Sequence, residues 1–319
     1  MTVPDARRVP ALSLQLVNFG AAALDPAALV RVAVAADEAR VDRLVAVDHV
    51  VMGSETDAYS WGRFPTGPDE PWLEPLTVLA MLAGRTSRIR LATGVLVAPL
   101  RSGALLAKTA ATLDVLSGGR LDLGVGTGWQ AREYEASGLD FARRGHLLDE
   151  TLQTVRALWD DAPASLDLGP SRAEDVWCSP RRPDVPIWVS GSLSRAVLRR
   201  IMRFGDAWIP IMGMSNPELA VAVVELRAAL LAAGRDTSAF RVEGKLSMAR
   251  TEAGGLDVAA TFDRASELLD AGVTDLSFRL TSLDRDEDEA LRLLPGFVSA
   301  FHDRFPGLVS AGAAGRGGL

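Results

Sequence analysis

Between Ile89 and Trp159 the chain twice repeats one pattern: an apolar run that reads as a strand, a turn of small residues, and the start of a helix. Ile89-Arg-Leu-Ala-Thr-Gly-Val95 feeds the helix around Leu106. Leu121-Asp-Leu-Gly-Val125 runs through Gly126-Thr-Gly-Trp129 into a polar helical segment. Repeated strand, turn and helix units read as a parallel sheet, and glycine-rich turns at the carboxyl ends of parallel strands are where such sheets hold ligands. A cofactor enzyme is the first expectation.

The alternation extends in both directions. Leu12, Leu14 and Leu16 mark a first strand, and Asp25-Pro26 supplies an N-cap and a first-turn proline for a helix to about Ala39. Arg43 to Asp48 reads as a second, buried strand, followed by a loop from His49 to Leu73 long enough to suggest function. Glu74 to Ala83 is helical. After the third strand, Leu106, Ala110, Leu113 and Leu116 fall on one helix face, and Ser117-Gly118-Gly119 stops that helix. Leu121 to Val125 is strand four, and Arg143 to Trp159 is strongly helical.

A proline-rich stretch, Asp160 to Pro186, interrupts the pattern as an insertion with room for short strands. Ile187 to Ser190 then resumes it as strand five. The next helix turns Val197, Leu198, Ile201 and Phe204 inward and Arg195, Arg199 and Arg203 outward. Further strands are expected at Asp206 to Pro210, Arg241 to Met248 and Asp275 to Leu280, with helices at Pro217 to Ala233, Leu256 to Ala271 and Asp286 to Arg304. Eight such pairs in 319 residues spell a TIM (β/α)8 barrel with insertions. One domain is expected over residues 1–310, with a low-complexity tail over 311–319.

In such a barrel the chemistry lies at the strand carboxyl ends. Strand two ends at Asp48-His49, an imidazole beside a carboxylate that would orient it. His49 reads as a general acid or base near neutral pH, or as a loop histidine bonded to backbone. Gly94 before Val95 permits close ligand approach or an unusual peptide geometry, or serves packing. Thr127, Gly128 and Trp129 offer amides and a hydroxyl to a ligand. Glu133 either contacts substrate or favours the positive end of a helix. Ser190-Gly191-Ser192 opens a helix, where free amides and hydroxyls suit an anion, with Ser194 as its N-cap. The long loop carries Tyr59, Trp61, Phe64 and Trp72, aromatic rings suited to covering a planar ligand or to plugging the surface.

With Asp48-His49, Leu91-Ala-Thr-Gly-Val95, Ala107-Lys-Thr-Ala-Ala-Thr-Leu-Asp-Val-Leu-Ser-Gly-Gly-Arg120 and Leu123-Gly-Val-Gly-Thr-Gly-Trp129 in view, the chain resembles the bacterial luciferase-like monooxygenase superfamily. It is similar in particular to the branch that uses the deazaflavin coenzyme F420. Pro186-Ile-Trp-Val-Ser-Gly191 and Gly205-Asp-Ala-Trp208 extend the likeness. The resemblance implies Asp48 and His49 beside the deazaflavin ring, a non-proline cis peptide at Gly94-Val95 beneath it, and Thr127, Gly128, Trp129, Val189, Ser190, Gly191 and Ser192 around the rest of the cofactor. Trp129 stands where the sugar-phosphate dehydrogenases of this branch have an acidic residue, so their substrate is not carried over.

The implied activity is hydride transfer between F420 and a small organic substrate held near Trp61, Phe64 and Glu133, with His49 exchanging the proton. Alternatives are a reduced-FMN monooxygenase using oxygen and a non-catalytic flavin-binding paralogue; a homodimer is expected from the resemblance. A net charge of -7 argues against nucleic acid as partner. No apolar run of about 18 residues suggests a membrane span, and Met1 to Arg8 lacks the apolar core of a signal peptide, so a cytoplasmic location is expected. A single Cys178 excludes an intramolecular disulfide, and His49, His146 and His302 are too scattered to suggest a metal site.

Overall fold

Eight parallel strands close on themselves in the computed structural model, which describes residues 9–60, 62–168, 171–210 and 213–306. The barrel strands are β1 Ala11–Gln15, β2 Arg43–Ala46, β3 Arg90–Thr93, β4 Leu121–Gly126, β5 Ile187–Ser190, β6 Ala207–Ile209, β7 Arg241–Lys245 and β8 Asp275–Arg279. Each pairs in parallel with its sequence neighbours, and β1 completes the ring by pairing with β8, Leu12 opposite Leu276. The tail over 311–319 and the first eight residues lie outside the described residues.

Helices α1 Pro26–Glu38, α2 Pro75–Ala83, α3 Gly103–Ser117, α4 Ala131–Ala136, α5 Arg144–Asp160, α6 Arg195–Phe204, α7 Asn216–Ala232, α8 Val258–Asp270 and α9 Glu287–Arg304 complete the layers. Their starts follow local chemistry. Asp25, Ser102, Ser194, Ser215, Asp257 and Asp286 each accept a hydrogen bond from an amide of the first turn. Gly118 ends α3 in the left-handed region at φ 72°, as the double glycine predicts. No helix among the described residues is long and apolar enough to cross a membrane.

Three local expectations need correction. Leu116 does not join the inward face of α3 but is 62 % exposed, because that face runs through Leu106, Ala110, Leu113, Asp114 and Ser117 and leaves Leu116 to one side. On α6 the inward stripe includes Arg200, whose guanidinium Nε donates to Asp149 at 2.6 Å. Strand seven stops at Lys245, short of Met248, and the first strand stops at Gln15. The proline-rich insertion does carry a hairpin, Ala164–Leu168 against Ser171–Val176 in antiparallel register.

The barrel interior is charged rather than greasy at the amino-terminal end of its strands. Arg43 spans it, donating to Asp122 at 2.7 Å and Asp275 at 2.5 Å, with its guanidinium 4.3 Å from the centre of the Trp188 ring. Burial alone would lower the pKa of Arg43, but Asp122 and Asp275 outweigh it and raise the pKa. Arg90 and Arg241 complete the network on the same two carboxylates. Strand alternation then fixes which residues point into the mouth above this layer.

Candidate active site

The loop leaving β2 is fastened to α4. His49 Nδ1 lies 3.1 Å from Glu133 Oε2, and Val50 N donates to Glu133 Oε1 at 2.8 Å. Gln130 adds a second fastening, accepting from Gly53 N and donating to Met52 Sδ at 2.7 Å. Glu133 is fully buried, and the His49 side chain is 9 % exposed. A carboxylate only accepts, so against an ionised Glu133 the Nδ1 position carries the proton of this contact and Nε2 is the ring nitrogen that Glu133 does not engage. Glu133 does not stand free at the start of α4: both its oxygens are taken up by the loop.

Contrary to the sequence expectation, Asp48 does not orient His49. Successive residues leaving a strand diverge, and the Asp48 carboxylate instead accepts from Val97 N at 2.8 Å and from both Arg101 amino groups at 2.7 and 3.0 Å. Arg101 also bonds Glu74 at 2.8 Å, so it ties the end of β2 to the start of α2. Neither Arg101 nor Gln130 was legible as a site residue. A lone basic residue after Pro99-Leu100 and a glutamine after Trp129 carry no pattern of their own.

Both ends of the long loop are also fixed from below. Buried Asn18 donates to Val47 O at 2.8 Å and Leu73 O at 2.9 Å while accepting from Val47 N at 3.0 Å. Between these anchors the aromatic residues collect around the imidazole. Trp72, Phe64 and Trp129 approach His49 edge to face, with ring centres at 4.6, 5.4 and 5.9 Å. Tyr59 closes the group, 5.3 Å from both Phe64 and Trp129. Trp61 falls outside the described residues.

Beside these rings, glycines let strands β3 and β4 and their turns pack closely against neighbouring residues. The Gly94–Val95 peptide is cis. A side-chain carbon on Gly94 would lie 2.4 Å from Val45 Cγ1, so this glycine also serves packing. On β4, a carbon on Gly124 would lie 1.9 Å from Thr93 O, and one on Gly126 would lie 2.8 Å from Val95 Cγ2. Gly128 holds φ at 64°, turning the chain into Trp129, and Tyr134 donates to Thr127 O at 2.5 Å beneath it.

The turn after β5 is open. Gly191 has φ 139°, and its carbonyl accepts from Trp208 Nε1 at 2.9 Å. Ser192 is exposed, Ser190 half-buried, and Ser194 caps α6 as predicted. The Val189 side chain is fully buried in the core between barrel and helices.

One observation bears on a planar, polar cofactor. The indole Nε1 of Trp129 is buried with no hydrogen-bond partner among the described residues. An orphaned donor of this kind costs free energy unless a partner arrives. Such a donor fits a ring carrying acceptor atoms.

A closed parallel barrel with a histidine, packed aromatic rings and glycine-rich turns at its carboxyl-end mouth has the layout of the barrel enzymes. Residues 12–267 match the family of luciferase-like monooxygenases, and the chain belongs to that family. Membership makes it an oxidoreductase. An uncharacterised protein of Mycobacterium tuberculosis is 33% identical over 231 residues, covering 70% of this chain and 75% of that protein. A phthiodiolone/phenolphthiodiolone dimycocerosates ketoreductase of the same organism is 36% identical over 178 residues, covering 51% of this chain and 44% of its own.

Among solved structures, an F420-dependent secondary alcohol dehydrogenase superimposes with TM-score 0.73 at 14% identity, covering 92% of this chain and 99% of that one. The monooxygenase RslO1 from Streptomyces bottropensis does so with TM-score 0.71 at 22% identity, again covering 92% and 99%. At these identities the likeness shows the fold.

Proposed function

We propose that the protein is a coenzyme F420-dependent oxidoreductase acting on a small organic substrate, with His49 as its proton-exchanging residue. The reading rests on one observation: a histidine at the barrel mouth, held through Nδ1 by the buried Glu133 carboxylate, inside a chamber of aromatic rings. Gly94, Val95, Gly126, Thr127, Gly128 and Trp129 would hold the ring, and Ser190, Gly191 and Ser192 its side chain. The bound deazaflavin would supply two-electron chemistry. The protein's own part is orientation, exclusion of water by Tyr59, Phe64 and Trp72, and movement of one proton at His49 Nε2. Asp48 acts as a positioning residue through Arg101 and the Val97 amide.

FMN is the second reading. It is favoured by likeness to monooxygenases: a pyrimidine monooxygenase of Allorhizobium ampelinum is 33% identical over 186 residues, covering 54% of this chain and 50% of that protein. The two readings part on cofactor binding. Purified protein titrated with F420 and with FMN should bind F420 the more tightly. His49→Ala should retain that binding while F420 turnover across a panel of small alcohols and ketones falls about 10²- to 10⁴-fold. Tight FMN binding with oxygen consumption would overturn the F420 reading.

A further inference from the structure

The interior faces of β7 and β8 carry charge upward from the lower end of the barrel to its mouth. Asp275 touches Arg43 across the interior, so by alternation Ser277 and Arg279 of β8 share its face. On β7, Glu243 pairs in register with Asp275 and Lys245 with Ser277, which places Lys245 on the same inner face. Lys245 and Arg279 are the last residues of their strands and both are exposed at the mouth.

Their surroundings differ from those of every interior cation below them. Arg43, Arg90 and Arg241 each bond a carboxylate. Lys245 has no hydrogen bond or ion pair among the described residues, and the hydrogen bond of Arg279 there is to the neutral Gln15 side chain, 3.1 Å away. In a chain of net charge -7, two cations that share the inner face of neighbouring strands, Lys245 opposite Ser277 and Arg279 two residues beyond it, bond no carboxylate among the described residues. Their position also joins them to the chamber. Arg279 lies close enough to Tyr59 to oppose the upward push of burial on its hydroxyl, and Tyr59 packs against Phe64 and Trp129.

We propose that Lys245 and Arg279 form a subsite for an anionic oxygen group on the substrate, a carboxylate or a phosphate. The assignment rests on the reading of this mouth as the active site and specifies the substrate class that it takes. The guanidinium presents parallel donors to two oxygens, and the ammonium adds a compact charge from the neighbouring strand. The cofactor's own phosphate is assigned elsewhere, to the turn after β5. An anion held on β7 and β8 would leave the reacting part of the substrate directed across the mouth toward His49.

The test needs no cofactor and no known substrate. The full-length protein is titrated with inorganic phosphate and with acetate at constant ionic strength, by calorimetry and by tryptophan fluorescence. Wild type should bind one of them saturably, and which one binds tighter distinguishes phosphate from carboxylate. Lys245→Gln and Arg279→Gln should each weaken binding about tenfold, and the double variant should abolish it. The double variant should bind F420 and FMN as wild type does, with an unchanged circular dichroism spectrum, and His49→Ala should leave anion binding untouched.

Equal anion binding by wild type and the double variant, or no saturable binding of either anion, would overturn the subsite. A loss of cofactor affinity in the double variant would overturn it too, by assigning these cations to the cofactor. Because the anion titration contains no cofactor, its failure is separable from failure of the F420 reading.

Discussion

The lower interior of the barrel and its upper mouth are built from the same strands by the same alternation, yet they treat charge in opposite ways. At the lower end Arg43 is nearly sealed, its side chain 5% exposed between Asp122 and Asp275 at 3% and 0%. Burial opposes ionisation of Asp122, but Arg43 and Arg90 hold its carboxyl below the usual range. Every charge there has its complement. At the mouth, Lys245 and Arg279 meet no carboxylate, and Trp129 Nε1 has no acceptor among the described residues. A charge matched within the chain holds the fold, whereas unmatched polar groups facing a chamber are what a ligand can complete.

The sharpest break of this contrast is Arg43→Met. It would leave two buried carboxylates without their shared cation, and loss of one partner from a buried ion pair costs about 3–5 kcal/mol. Urea unfolding should show a loss of that order, against almost none for Lys245→Gln. Equal losses at the two levels would erase the distinction between them.

A smaller effect is expected from Glu133→Gln, which keeps the volume but replaces an acceptor facing His49 Nδ1 with an amide. Turnover should fall about 10- to 1,000-fold with F420 affinity retained, the range for removing one oriented polar group. If kcat is unchanged and only the cofactor dissociation constant rises, Glu133 holds the loop and nothing more.

The mildest test concerns Glu243, between the two levels. Burial pushes its carboxyl up to about 7, with Arg43 opposing and Asp275 adding to the rise. A folded-state pKa above the unfolded one means that the native protein holds an extra proton in the interval between them. The stability this proton contributes is complete below about pH 4.3, the unfolded value, and is lost as pH rises through about 7. Glu243→Gln should flatten that part of the melting-temperature profile and be the more stable form above about pH 7, by about 1–3 kcal/mol. Parallel profiles for variant and wild type would remove Glu243 from the titration.

The legible features share a local cause. Caps at Asp25 and Ser194, the Gly118 stop, the period of each strand and the glycines after β3 and β4 act over a few residues, and backbone sterics make their meaning nearly independent of the rest of the chain. His49 at a strand end belongs with them, since strand direction alone put it at the mouth.

Partner choice was not local. Asp48 and His49 are neighbours in sequence, and adjacency suggested a pair; folding gave Asp48 to Arg101 and His49 to Glu133, because side chains leaving the end of a strand point apart. Leu116 was misplaced for a related reason, since periodicity orders the residues around α3 but does not say how the helix is rotated against its neighbours, and Asp114 and Ser117 take the buried side beside it. That Lys245 and Arg279 share one inner face depends on the register of β7 against β8, which sets Lys245 opposite Ser277 and whose strands lie a helix apart in the chain. Short-range sterics and patterning thus wrote the barrel and its mouth into the amino-acid order. Which carboxylate meets which cation, and which cations meet none, was set by contacts between distant segments, whose distances exist only once the ring has closed.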